Sequence, residues 1–151
     1  MLPSPMKVGL GAQGARYPTG AEPAEQWTLL ANTTRDPDGH TFTLTPNGSE
    51  TNVTLTTRLV EAGKRYAILF RYRNGSLDGE QRVYISAHSD DRRWLDTFPD
   101  GTGYLCARSA DWVQQGFAFT APAETTALTI WLRASGDGSA QFDRIELQPL
   151  P

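Results

Sequence analysis

A serine and a histidine lie two residues apart in this chain, and they are the pair in the sequence that most resembles a catalytic nucleophile and its base. Ser86 and His88 would share one face of a β-strand, because alternate residues of a strand point to the same side. A nucleophile and its base also need an orienting third group and an oxyanion hole. The sequence indicates neither, and it shows no zinc-site spacing and no carboxylate pair at matching strand positions. We therefore predict a protein that is not an enzyme, with a small hydrolase as the weakest alternative.

The glycine-rich segment near the N-terminus contains a literal G-x-G-x-x-G pattern, Gly9-Leu10-Gly11-Ala12-Gln13-Gly14. A dinucleotide site needs a helix that begins near the third glycine, because the helix N-terminus holds the pyrophosphate. Pro18, Gly20 and Pro23 prevent that helix. We interpret residues 1–26 as an extended arm, either partly ordered or lying against a neighbouring subunit, and residues 27–151 as the folded domain.

The side chains best suited to binding are aromatic and basic, and they alternate with apolar positions. Tyr84 follows Val83 and Trp131 follows Ile130, so both aromatics should project away from the core. Sugars offer apolar C–H faces edged by hydroxyls, and an aromatic platform beside hydrogen-bonding groups suits both. We predict a ligand-binding face, with Trp94 at its rim, formed by Tyr84, Trp131, Trp94, Arg71, Arg82, Arg133 and His88. The alternative is that Tyr84 and Trp131 are buried against the arm, a loop or another subunit.

The elements that position these residues show the two-residue period of β-strands. Strands are predicted at His40–Thr45, Thr51–Leu59, Arg65–Arg73, Gln81–His88, Trp112–Thr120, Ala127–Arg133 and Ala140–Leu147, with a short one beginning at Trp27. A long loop is predicted over Asp90–Gly103. No segment has a helical period of useful length. Several alternating strands separated by turn residues predict an all-β protein with an antiparallel β-sandwich.

The composition excludes several classes of protein. The chain has 151 residues, one cysteine and a formal net charge of −3. That length fits one domain, and a single cysteine, Cys106, allows no internal disulfide. No Lys/Arg block and no apolar run of membrane-spanning length are present, so we expect neither a nucleic-acid partner nor a membrane. The N-terminus lacks the charged head and apolar core of a signal peptide.

Three segments resemble a known family. They are Val60–Phe70 with its Ala62-Gly63-Lys64-Arg65-Tyr66 core, the pair Asp111-Trp112-Val113 and Phe117–Pro122, and the closing Phe142-Asp143-Arg144-Ile145-Glu146-Leu147. Together they are similar to the jelly-roll carbohydrate-binding modules that bind xylan and β-glucan, over roughly residues 27–148. The resemblance implies a galactose-binding-domain-like jelly roll, a non-catalytic glycan-binding role, no required cofactor, and a structural calcium ion ligated by Asp143.

Such modules also accompany phage tail and capsid components. The alternative function is therefore a phage virion structural protein, for capsid decoration or in a tail, assembling through its N-terminal arm and sheet face. The expected partners are a glycan or neighbouring protein subunits, with a homo-oligomer possible. The localisation stays open between a virion surface and secretion as part of a larger assembly.

Overall fold

The computed structural model describes residues 27–37 and 41–151, and within them the chain forms eleven β-strands and no helix. The predicted arm, residues 1–26, lies outside the described residues. In chain order the strands are β1 Thr28–Leu29, β2 Thr33–Arg35, β3 Phe42–Leu44, β4 Ser49–Thr57, β5 Arg65–Arg73, β6 Gln81–His88, β7 Trp94–Phe98, β8 Tyr104–Leu105, β9 Val113–Thr120, β10 Ala127–Gly136 and β11 Ala140–Pro149.

The strands pair into two sheets, and every pairing is antiparallel. The six-stranded sheet has the order β1-β4-β10-β6-β7, with β8 pairing with β6 as well, and the five-stranded sheet has the order β2-β3-β11-β5-β9. The sheets pack face to face as a sandwich. The predicted fold class, an all-β antiparallel jelly-roll sandwich, is confirmed.

The core lies between the two sheets and is built from alternate residues of the long strands. Fully buried side chains include Phe70 of β5, Ile85 of β6, Ile130 of β10 and Phe142 of β11. These are the positions that the two-residue period assigns to the interior, because successive side chains of a strand point to opposite faces. The predicted bounds of β5 and β6 agree with the structure.

The short strands β2 and β8 were not predicted, and the largest difference from the sequence prediction lies in one longer segment. Residues 90–103 were predicted to be a loop, but Trp94–Phe98 forms the edge strand β7 beside β6. A bulge shifts the register between Ala87 and His88, which breaks the simple alternation that would identify a strand. Leu95 and Phe98 still reach the core, and their partial burial explains why the segment pairs.

Within the described ranges, none of the chain forms a helix long and apolar enough to cross a membrane.

Candidate functional site

A stacked aromatic pair occupies the middle of the outer face of the six-stranded sheet. Tyr84 of β6 lies directly opposite Trp131 of β10. Their ring centroids are 5.4 Å apart and their planes differ by 9°. This is an offset stack, the arrangement that aromatic pairs prefer. Both side chains are half-buried, and burial raises the pKa of the Tyr84 hydroxyl. The predicted outward direction of both rings is confirmed.

A short hydrogen-bond chain holds the indole ring of Trp131. Its Nε1 donates to Ser86 Oγ at 2.9 Å. Ser86 Oγ in turn lies 3.0 Å from His88 Nε2, so the predicted meeting of these two side chains is confirmed. Ser86 is buried, and its oxygen is already used as an acceptor by the indole. Among the described residues, no carboxylate hydrogen-bonds His88. The contact therefore positions an aromatic ring.

Two arginines face each other two residues further along the same strands, on the same face. Arg82 lies opposite Arg133. Like charges in directly opposed positions repel, but each guanidinium has its own carboxylate. Arg82 Nε lies 3.3 Å from Glu80 Oε1, and Arg133 forms an ion pair with Glu50. The face therefore carries charged donors and acceptors that balance one another.

A cavity of about 390 Å³ opens over this part of the face. Its lining consists of Glu80, Arg82, Tyr84, Thr97, Gly101, Thr102, Arg133 and Ser135. It combines the phenol ring of Tyr84, two guanidinium groups, a carboxylate and three aliphatic hydroxyl groups. Sequence analysis identified three of these residues. It missed Glu80, Gly101 and Thr102 because strand parity does not apply outside the strands. It missed Thr97 because β7 was predicted to be a loop, and Ser135 because the predicted strand ended at Arg133.

The turn between β7 and β8 forms one lip of the cavity, and hydrogen bonds fix its shape. Asp100 Oδ1 accepts from the backbone N–H of Thr102 at 3.1 Å, from its hydroxyl at 2.9 Å and from Gly103 N–H at 3.2 Å. The backbone N–H of Thr102 makes the largest contribution to the lowered pKa of the Asp100 carboxyl. Gly103 has φ +95°, and a Cβ there would lie 3.1 Å from Tyr84. The turn therefore needs glycine to pass so close to the ring.

The tryptophan predicted for the rim lies beside this cavity. Trp94 of β7 is paired with His88 of β6 and is 58% exposed. Its Nε1 donates to Thr97 Oγ1 at 2.8 Å, and Thr97 lines the cavity. The structure therefore brings together six of the seven predicted ligand-binding residues on one face. Their role in binding stays a prediction.

The seventh residue, Arg71, was placed wrongly by the sequence analysis. It belongs to β5 and lies on the outer face of the five-stranded sheet, across the sandwich from Tyr84. Strand parity tells which side of its own sheet a residue faces, but it does not tell which sheet holds the strand. Arg71 instead donates from Nε and Nη2 to the two oxygens of Asp143, at 2.8 and 2.5 Å.

A second aromatic cluster on that outer face was not foreseen. The guanidinium groups of Arg71 and Arg73 lie 4.7 and 4.6 Å from the ring centroid of Trp112. Arg73 Nε also donates to Gln141 Oε1 at 2.5 Å. Cation–π contacts with two arginines occupy this indole, so it offers less free ring surface than the pair on the other sheet.

The predicted calcium ligand has a different partner. Asp143 is buried, and both of its oxygens accept hydrogen bonds from Arg71. Calcium needs six to eight oxygen ligands, usually several of them carboxylate oxygens. The described residues hold no group of three or more His, Cys, Asp or Glu side chains that would bind a metal. These residues do not fit the ion, and calcium binding stays an untested prediction.

Comparisons with known proteins give the fold. No protein-family model matches the chain, and no curated protein matches it. Among solved structures, the CBM22-1 xylan-binding domain of Paenibacillus barcinonensis Xyn10C has a TM-score of 0.64 and 11% identity, covering 87% of this chain and 90% of that domain. A CBM4 structure has a TM-score of 0.56 and 16% identity, covering 82% and 78%. The chain thus has a β-sandwich fold that carbohydrate-binding modules share.

Part of a phage protein has a similar fold. The enzymatically active domain of tailspike protein 4 from bacteriophage CBA120 has a TM-score of 0.70 and 17% identity, covering 87% of this chain. This chain spans 20% of the tailspike chain's length. At these identities the similarities establish the architecture of the sandwich, and the chemistry of the face must be argued from its own residues.

Proposed function

We propose that this protein is a non-catalytic saccharide-binding module whose ligand lies on the Tyr84/Trp131 face. The observation that carries the proposal is the stacked ring pair, of which Tyr84 lines a cavity of about 390 Å³ together with hydrogen-bonding side chains. The volume falls in the usual range for small-molecule sites. The carbohydrate-binding modules that share the fold support the same class of ligand.

The rings supply the apolar part of such a site. A pyranose ring has C–H groups on its faces, and they pack on an aromatic side chain with little loss of hydration. Trp131 is restrained through Ser86, and Tyr84 is restrained by the stack and by Gly103. A ring that is already fixed loses little entropy on binding, so more of the contact energy appears as affinity.

The polar groups favour a neutral saccharide. Arg82 is paired with Glu80 and Arg133 with Glu50, so the face presents donors and acceptors with no excess charge. Vicinal sugar hydroxyls both donate and accept hydrogen bonds, and such paired side chains meet both needs. An acidic sugar would compete with the two glutamates for the same guanidinium groups.

The test is isothermal titration calorimetry of the full chain against neutral oligosaccharides and, separately, uronate-containing ones. We expect binding of a neutral ligand, a loss of at least tenfold in affinity in Trp131→Ala, and a similar loss in Tyr84→Ala. Trp112→Ala removes a half-exposed tryptophan from the other sheet and is the matched control. Circular dichroism checks that each variant keeps its fold.

Two outcomes would contradict the site, and a third would contradict its specificity. Equal losses of affinity in Trp131→Ala and Trp112→Ala would show that the substitutions weaken binding through the stability of the fold, and not through contacts on this face. An affinity for a neutral saccharide that neither Tyr84→Ala nor Trp131→Ala changes would place the site elsewhere. Tighter binding of uronates than of neutral sugars would leave the site but overturn the neutral specificity.

A second candidate function is a phage virion component, and the fold shared with the tailspike domain favours it. In this role the sheet face and residues 1–26 contact neighbouring subunits. Deletion of residues 1–20 should then abolish assembly into larger particles while leaving the sandwich folded. Light scattering of the full and truncated chains measures this, and an unchanged particle mass counts against the arm.

A further inference from the structure

The edges of the two sheets are unequally protected. Unpaired backbone groups on a long edge strand attract another strand, so most proteins keep edges short, charged, bulged or covered. Here β1, β2 and β8 have two or three residues each. The edge strand β7 has five residues and carries a bulge in its pairing with β6. These four strands offer little for another strand to pair with.

Two longer strands, β4 and β11, are covered only in part by β1 and β3, but their uncovered stretches contain Glu50 in β4 and Asp143, Arg144 and Glu146 in β11. Among the described residues, β9 is the long edge strand without a charge. It ends the five-stranded sheet, and along all eight residues it pairs on one side only, with β5. Its sequence, Val113-Gln114-Gln115-Gly116-Phe117-Ala118-Phe119-Thr120, contains no charged residue and no proline. Eight residues extend over roughly 26 Å, which is long enough for a continuous ladder of hydrogen bonds. The usual devices that prevent pairing are therefore missing here.

We propose that β9 is a self-association surface, at which two copies of this chain pair antiparallel and join their five-stranded sheets. When two copies of one strand pair, each brings the same charges to the contact, so a charged edge repels its own copy. An uncharged edge has no such repulsion. A two-fold axis perpendicular to the sheet keeps outward residues opposite outward residues. Such a closed, isologous contact is the commonest symmetry of homo-oligomers.

The parity of the strand selects a register. Pairing about Gly116 sets Gln115 opposite Phe117 of the second copy and Gln114 opposite Ala118. The two-fold axis then passes between the two facing Gly116 residues, which have no side chains, so the two backbones approach without a clash. Gln114 and Gln115 are both exposed in the single chain. Their amides are free to bond across the new pair.

The surface is small, and this sets the expected strength. A single strand pair buries less surface than the roughly 800 Å² per partner of a standard interface. The dimer should therefore be weak, and its population should depend on protein concentration. Sedimentation velocity of the full chain should show a shift from 16.6 kDa toward twice that mass as the protein is concentrated. A mass that stays at the single-chain value at every concentration would overturn the proposal.

Charge substitutions at Gln115 locate the interface. An inward-pointing charge is one of the devices that natural edge strands use against pairing. We expect Gln115→Lys alone and Gln115→Glu alone to weaken association at least tenfold, because each puts two like charges near the axis. An equal mixture of the two variants should restore association, which a loss of folding could not do. Thr28→Lys places the same charge on the exposed edge strand β1 and should change nothing.

Two further results would overturn the β9 interface. Association that survives in both Gln115 variants would place the contact on another surface. Loss of association in each variant without recovery in the mixture would show that the substitutions act on the fold. The saccharide-binding face belongs to the other sheet, so failure of this proposal leaves that function untouched.

Discussion

The buried ion pair between Asp143 and Arg71 allows the sharpest test of the structure. Replacing Asp143 with asparagine keeps the shape of the side chain but removes its charge. The side chain of Asp143 is 6% exposed and that of Arg71 is 25% exposed. Leaving one partner of a fully buried pair alone costs about 3–5 kcal/mol. Because Arg71 regains some water, we expect the smaller loss of about 2–3 kcal/mol in the free energy of unfolding.

A double-mutant cycle measures the pair itself. Asp143→Asn, Arg71→Gln and the double variant are compared by urea denaturation, and the single loss at Asp143 should also lower the melting temperature by about 5–10 °C. We expect a coupling energy of about 1–3 kcal/mol. Additive single losses, or a loss below about 0.5 kcal/mol in Asp143→Asn, would refute the ion pair as a stabilising contact.

The same experiment tests the calcium prediction. If Asp143 only binds Arg71, the parent protein melts at the same temperature with and without a chelator. A melting temperature that falls with chelator in the parent protein, but not in Asp143→Asn, would mean that this carboxylate holds the ion and that Arg71 moves aside for it.

Four other predictions concern the core, a glycine turn, the single thiol and the Asp100 carboxyl. Ile130→Ala should cost about 2–5 kcal/mol in urea denaturation, since the side chain is fully buried, and a near-zero loss would contradict its place in the core. Gly136→Ala should cost about 1–3 kcal/mol, because φ is +99° and the new Cβ would lie 2.1 Å from a backbone oxygen in the facing turn. The Cys106 thiol should resist a thiol reagent until denaturant is added, because burial raises its pKa strongly, and rapid labelling of the native chain would refute its burial. An NMR titration should give the Asp100 carboxyl a pKa below its ordinary value of about 3.9. The hydrogen bonds to this carboxylate should then stabilise the fold above that pH, and this stabilisation should be lost as the pH falls through the lowered pKa. A pKa at or above about 3.9 would contradict the turn geometry.

The alternation of residues along the chain was enough to predict most of the long strands and the two faces of each. Phe70 and Arg71 in β5, like Ile130 and Trp131 in β10, divide into inside and outside because successive side chains of an extended backbone point to opposite faces. That rule is local, and it needs no knowledge of the partner strand. It also predicted that Ser86 meets His88.

The cavity and the partners of Asp143 were decided by the tertiary structure. Parity does not say which strand lies beside which, so the sequence did not reveal that Trp131 stacks on Tyr84 or that Arg71 belongs to the opposite sheet. The edge strand β7 was missed because its bulge interrupts the period. Local periodicity determined which way each side chain points, whereas strand order, a property of contacts distant in the sequence, decided which side chains meet.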